Sequence, residues 1–229
     1  MCGRKTLTKG KIEIIEELFV DEWENDFDWE PSYNIAPTQM SPVLLNDGKR
    51  KVKPMCWGLV PSWAKDKTIG AKMINARSET LGEKPSFQSL IYQKRCIVIS
   101  DGYFEWKREG RKKIPYYIRD PNSKLLPMAG LWDEWVDKQE KRWLTYAVIT
   151  TDPSNQINHI HNRMPAILDK LEMDLWINFD CPPNEALTCL KPYEKLLELY
   201  PVSTFVNSPA NNSKQCILPI ENLNTLTMF

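Results

Sequence analysis

Apolar and polar positions fall into two regimes along the chain. Through the middle, "KRCIVISDGYFEW" (94–106), "KIPYYIR" (113–119), "LLPMAGLW" (125–132) and "RWLTYAVITT" (142–151) are dense in β-branched and aromatic residues. Such side chains suit a pleated, half-buried surface, and these runs predict strands. "SPVLL" and "KRKVKPMCW" flank Asn46-Asp47-Gly48 and predict a hairpin that turns there. Helical spacing is scarcer. In "KGKIEIIEELFV" it places Ile12, Ile15, Leu18 and Phe19 on one face, with Thr8 as the cap. "PSFQSLIYQ", "KLEMDLWIN" and "NEALTCL" predict short helices, and the acidic, aromatic "VDEWENDFDWEP" predicts a solvated loop or helix end. Strands dominate and helices decorate them without strict alternation. The expected class is α+β, a mixed, barrel-like sheet with short helices around it.

With 229 residues, 42% of them hydrophobic, the chain can bury an ordinary core as one large domain or two small ones. Charged residues divide 30 to 30, and this balance argues against non-specific coating of nucleic acid while leaving room for a local basic groove. No apolar run is long enough to span a membrane, and the N-terminus carries no apolar signal segment, so the expected location is the cytoplasm. The six cysteines form no C-x-x-C pair and the only histidines are His159 and His161, so no structural zinc is expected. Cys96, inside "CIVIS", reads as buried packing.

The sequence begins Met1-Cys2-Gly3-Arg4. Removal of Met1 leaves one residue with both a free α-amine and a thiol. The amine has an ordinary pKa of about 7.7–8.0 and the thiol one of about 8.5, which a cation such as Arg4 is expected to lower. An amine condenses with an aldehyde to an imine, and the adjacent sulfur can close on the imine carbon to give a five-membered thiazolidine. Ring closure is intramolecular and strongly favoured. An internal lysine would stop at a hydrolysable imine.

Three other stretches carry candidate chemistry. "MINARSET" sets Asn75 and Arg77 two apart, on one side of a strand. "SDGYFEWK" places Glu105 between Phe104 and Trp106, where desolvation would raise its pKa and suit it to acid/base work. "HIHNRMP" supplies both histidines and Arg163. Each also has a plain structural reading. Asn75 can bond a turn, Arg77 can pair with Glu79 or Glu83, and Glu105 can alternate outward.

"MCGR", "YNIAPT", "WGLVPSW", "INARSET", "DGYFEWK" and "HNRMP" occur in the order found in the SOS response-associated peptidase family, the abasic-site processing proteins. The resemblance extends through "NNSKQCILPI". It implies one α+β domain over residues 1–229 with a barrel-like sheet and a basic DNA-binding face. It also implies self-removal of Met1 and covalent capture, by Cys2, of abasic sites in single-stranded DNA. By the same resemblance, Asn75 holds the Cys2 amine and opened sugar, Glu105 is the general acid/base, and His161 is a second proton donor or acceptor. Arg4, Arg77 and Arg163 are implied phosphate contacts, with Asn34 and Trp63 lining the DNA path. A monomer is expected, bacterial and nucleoid-associated when bound to DNA, with no metal or other cofactor. Strand scission by β-elimination from the imine is an expected side activity. Lys5 departs from the family, whose members often carry an aromatic there, and leaves the packing beside the site open. Two further readings stand beside this one: an N-terminal-nucleophile glutaminase, whose later signatures are absent, and a non-covalent single-strand binding module.

Overall fold

A computed structural model describes residues 2–220. Its strands, in chain order, are β1 (Lys5–Leu7), β2 (Glu22–Trp23), β3 (Ser32–Ile35), β4 (Met40–Asn46), β5 (Arg50–Trp57), β6 (Asn75–Arg77), β7 (Arg95–Val98), β8 (Gly102–Glu109), β9 (Lys112–Arg119), β10 (Met128–Val136), β11 (Arg142–Thr151), β12 (Met164–Pro165) and β13 (Glu198–Pro201). Strands β5, β4, β7, β10 and β11 pair in that order, and β11 returns to β5, closing a five-stranded barrel. The closing pair is parallel (Thr145 opposite Cys56, Tyr146 opposite Trp57) and the other four are antiparallel. Closure removes the open edges of these strands. The class is α+β with a mixed barrel, as the strand-rich pattern predicts.

The interior is apolar and well filled. Trp57 and Tyr146, both fully buried, stack with ring centroids 6.2 Å apart. Val43, Cys96, Val98, Leu131 and Val148 are likewise buried. Each such aliphatic side chain contributes about 1.5–3 kcal/mol by leaving water.

A second antiparallel sheet, ordered β13-β9-β8-β1-β3, lies beside the barrel. Here the single apolar run 94–106 divides. Residues up to Val98 join the barrel as β7, and Gly102 onward joins the second sheet as β8. The break falls at Ser100-Asp101, where Asp101 accepts hydrogen bonds from the Thr6 hydroxyl (2.5 Å), the Thr8 hydroxyl (2.5 Å) and the Thr8 amide (2.6 Å). This knot ties β1 in as an interior strand, with Lys5 opposite Tyr103 and Thr6 opposite Gly102. A side chain on Gly102 would collide with the Tyr117 ring, so only glycine allows that close approach.

The hairpin at Asn46-Asp47-Gly48 forms as expected, with Asn46 opposite Arg50 and Gly48 at φ 97°. Helix α1 (Lys11–Leu18) forms too, but with a different inner face. Ile14 and Leu18 are buried, whereas Ile12 and Phe19 are 72% and 60% exposed. Its cap is Gly10, whose amide donates to Glu13 Oε2 (3.1 Å); Thr8 is occupied by Asp101. An eight-residue helix needs only one i,i+4 pair to dock, and the exit from β1 selects which. The three other predicted helices appear as α2 (Leu90–Gln93), α3 (Lys170–Trp176) and α4 (Pro183–Leu187). The acidic segment after α1 is mostly loop, yet Trp29 is buried and Trp23 stacks on Phe27.

Candidate active site

The site lies where the start of the chain meets β8, β6 and the loop before β12. Because β1 is interior, residues 2–4 are drawn along β8, and the Phe104 amide donates to the Arg4 carbonyl (2.9 Å). Cys2 is fully buried. Burial, and then the charge of Glu105, push its thiol up to about 12. This corrects the expectation that Arg4 lowers it. The Arg4 guanidinium turns away to Asn34 Oδ1 (2.8 Å) and the Val206 carbonyl (2.7 Å).

Strand β6 pairs in parallel with β11, with Asn75 opposite Val148 and Arg77 opposite Thr150. Ala76 is buried on one face, so Asn75 and Arg77 share the other. Asn75 Nδ2 donates to the Cys2 carbonyl (2.8 Å), while its Oδ1 is buried without a partner. An unpaired buried acceptor costs about 1–3 kcal/mol and marks a place for a donor. Arg77 is exposed and makes no ion pair among the described residues.

Glu105, on β8, is only 2% exposed, and burial raises its carboxyl to about 7. The plain reading, in which it points to solvent, is thereby overturned. Phe104 packs into a separate cluster with Tyr117 and Val206, which leaves Glu105 on the opposite face of the strand. His161 Nε2 lies 3.9 Å from Glu105 Oε2, and burial lowers the imidazole's pKa below its ordinary value. His161 Nδ1 is held by the main chain of Arg163, from the amide at 3.1 Å and beside the carbonyl at 3.2 Å.

Glu105 and His161 open onto a cleft of about 850 Å³, also lined by Trp106, Arg108, Lys113 and Asn207. Arg108 and Lys113 are opposed across the β8–β9 hairpin, so the basic run "WKREGRKKIP" delivers cations to the cleft wall. The zero net charge of the chain thus conceals a local basic surface.

The remaining expected contacts are placed differently. Arg163 is 8% exposed, and its guanidinium binds Glu79 through both nitrogens, Asp152 Oδ1 (2.9 Å) and the Thr150 carbonyl (2.6 Å). Its charge is already satisfied, which makes it a brace rather than an open phosphate contact. Asn34 is 1% exposed and spends its amide on the carbonyls of Val206, Ser208 and Asn211. It clips the 206–211 segment over the second sheet instead of lining a path for DNA. Trp63 is 60% exposed, as a stacking platform requires, but borders a separate hollow with Lys65 and Lys72.

Sequence reasoning missed Asn207, Glu79 and the depth of Lys5. Asn207 arrives at the cleft only because the 206–211 segment folds back, and it accepts a hydrogen bond from the Trp106 indole (2.8 Å). Lys5 is fully buried, with Nζ donating to the Ile99 carbonyl (2.8 Å). Burial drives its amine down to about 7. Among the described residues no group of His, Cys, Asp and Glu side chains forms a metal site, and no helix is long and apolar enough to cross a membrane.

A family described as SOS response associated peptidase matches residues 1–209. The abasic site processing protein YoqW of Bacillus subtilis is 42% identical over 221 residues, covering 95% of this chain and 99% of that protein. The abasic site processing protein HMCES of Gallus gallus is 38% identical over 264 residues, covering 96% of this chain and 78% of that protein. The fold is also similar to a crystal structure of a protein from Bacteroides thetaiotaomicron, with a TM-score of 0.86 and 31% identity over 95% of this chain and 99% of that one.

Proposed function

Because this chain belongs to the SOS response-associated peptidase family, we propose that it processes abasic sites in DNA, and that it does so by capturing the open-chain sugar aldehyde on Cys2. The observation that carries the reading is the convergence on Cys2 of Asn75 and a nearly buried Glu105 whose carboxyl sits at about 7. Glu105 also opens onto the cleft walled by Arg108 and Lys113.

While Met1 is attached, the Cys2 nitrogen is an amide and cannot condense with a carbonyl. Hydrolysis of the Met1–Cys2 bond, which consumes one water, yields the amine, and Glu105 and Cys2 are the groups to which this reading gives that step. An abasic deoxyribose is mostly a closed hemiacetal. A carboxyl with a pKa near the working pH can donate a proton and take one back, as ring opening requires. The amine then adds to the aldehyde and water leaves, giving an imine. The thiol adds across the carbon–nitrogen double bond: sulfur bonds to carbon, its proton passes to Glu105, and the ring nitrogen is protonated in turn. The net change is aldehyde plus aminothiol to thiazolidine plus one water. Asn75 Oδ1, buried without a partner, is the acceptor offered to the freed Cys2 amine. Arg77 and the cleft cations bind phosphates flanking the site, so affinity will fall with added salt. A missing base lowers the stacking to be broken and favours entry of the damaged nucleotide.

The test is a denaturing gel of mature protein with single-stranded DNA carrying one abasic site. A slower, heat-stable band with abasic DNA and none with intact DNA is expected. Equal behaviour of the two DNAs, or glutaminase activity without a band, overturns the reading. Intact mass reports whether Met1 has gone. Glu105→Gln removes the titrating proton while keeping the shape. It is expected to slow crosslinking or Met1 removal more than tenfold, about 1.4 kcal/mol of barrier. Wild-type rates for both steps would remove Glu105 from the mechanism.

A further inference from the structure

Arg163 is among the most heavily bonded side chains near the site, and its bonds join two halves that the sequence keeps apart. Its guanidinium crosses the end of β11, where Thr150 sits between Arg77 of β6 and Pro165 of β12. On the far side it meets Glu79, in the short 3₁₀ turn Ser78–Thr80 that directly follows the strand bearing Asn75. The two guanidinium nitrogens engage both carboxylate oxygens, a planar bidentate pair of the kind lysine cannot form. Glu79 is held below its ordinary carboxyl range by those hydrogen bonds from Arg163. Asp152 and the Thr150 carbonyl complete the clamp.

The same residue holds His161. The Arg163 amide lies 3.1 Å from His161 Nδ1. Nδ1 also lies 3.2 Å from the Arg163 carbonyl, so both of its main-chain partners belong to Arg163 whichever ring nitrogen carries the proton. Nε2 is the nitrogen that faces Glu105. The side chain of Arg163 is therefore fixed by Glu79, its backbone is fixed with it, and that backbone sets the direction of the histidine ring.

We propose that Glu79 is a positioning residue: through Arg163 it fixes His161 in one orientation and one tautomer, with Nε2 toward Glu105, and couples the β6 half of the site to the histidine half. Its significance for the reaction rests on the proposed role of His161, but the positioning itself can be read without DNA. Residues hydrogen-bonded to the far nitrogen of a catalytic imidazole commonly act this way, orienting the ring without touching substrate. The arrangement also accounts for the low exposure of Arg163.

The experiment uses the full chain and the variants Glu79→Ala, Glu79→Gln, His161→Ala and Glu79→Ala/His161→Ala. Long-range ¹H–¹⁵N spectra of the free protein distinguish imidazole tautomers. Wild type is expected to show His161 as a single tautomer, and Glu79→Ala a mixture. Crosslinking to abasic single-stranded DNA is expected to slow about tenfold in Glu79→Ala, less than the roughly 10²–10⁴-fold of removing an acid/base group outright, because the imidazole itself remains. Glu79→Ala/His161→Ala should match His161→Ala within about twofold, because residues acting as one unit are not additive. An unchanged His161 tautomer in Glu79→Ala, or rate losses that multiply in the double variant, overturns the proposal. If Glu79→Ala does not fold, Glu79→Gln, which keeps the volume, gives the same readings. Wild-type crosslinking by His161→Ala alone would remove the histidine from the reaction and leave the tautomer result to judge the positioning.

Discussion

Cys2→Ala will leave no heat-stable adduct with abasic single-stranded DNA, yet borohydride will still trap one. The variant is compared as material whose intact mass shows Met1 removed, by a methionine aminopeptidase where the chain does not remove it itself; alanine then retains the α-amine, so the imine can form and be reduced to a stable secondary amine. What alanine lacks is the sulfur that closes the ring, and an unreduced imine hydrolyses on denaturation. The effect is a loss of the stable band rather than a rate change. The variant also isolates the thiol's share of the chemistry. In the unprocessed chain burial holds that thiol up at about 12, so sulfur enters the reaction as a protonated thiol that must hand its proton on, and Glu105, whose charge also raises the thiol, is the carboxyl to receive it. Truncating a fully buried cysteine leaves a small void, so a melting curve must accompany the gel. A heat-stable band from Cys2→Ala without reductant would end the thiazolidine proposal, and absence of the borohydride-trapped band would show that the amine, too, is not presented.

Lys5→Met will stabilise the protein at neutral pH and lose that advantage as the pH is raised. Lys5 is fully buried, and its amine is driven from 10.5 down to about 7 by burial. Between those values the unfolded chain holds a proton that the folded chain has released. Stability from this group therefore rises with pH across the window from about 7 to 10.5, and is lowest at and below 7. Keeping the amine at about 7 costs the folded state on the order of 4 kcal/mol at neutral pH. The hydrogen bond to the Ile99 carbonyl returns only about 1 kcal/mol. Methionine has similar length, no charge to desolvate, and flexibility to fill the slot. The expected gain is about 2–4 kcal/mol, or roughly 5–10 °C in Tm at pH 7, shrinking by pH 10. Paired melting curves at the two pH values check it. A less stable variant at pH 7, or a difference that does not change with pH, would refute the assignment of Lys5 as a buried amine.

The two variants probe opposite features of one strand. Both Cys2 and Lys5 are buried because β1 is interior to the second sheet. Nothing in "MCGRK" dictates that position. The partners that enclose it, β3 and β8, lie about thirty and about a hundred residues away, and the Asp101 knot that fixes its register is equally remote.

By itself the sequence determined the strands, the Asn46-Asp47-Gly48 hairpin, the α+β class and the pairing of Asn75 with Arg77 on one face. These depend on local geometry: side-chain alternation, turn chemistry and β-branched density are legible wherever they occur. The ordered motifs also carried the family and the residues around Cys2. Only the tertiary structure decided that one apolar run splits between two sheets, that Arg163 and Asn34 face inward, and that Lys5 lies in the core. It alone decided that Arg4 turns from Cys2 toward Val206. The reason is that a charged or amide side chain looks the same in sequence whether its partners are water, phosphate or another part of the chain. Which of these it meets is fixed by contacts between segments far apart in sequence, and those exist only once the barrel has closed and the second sheet has packed beside it.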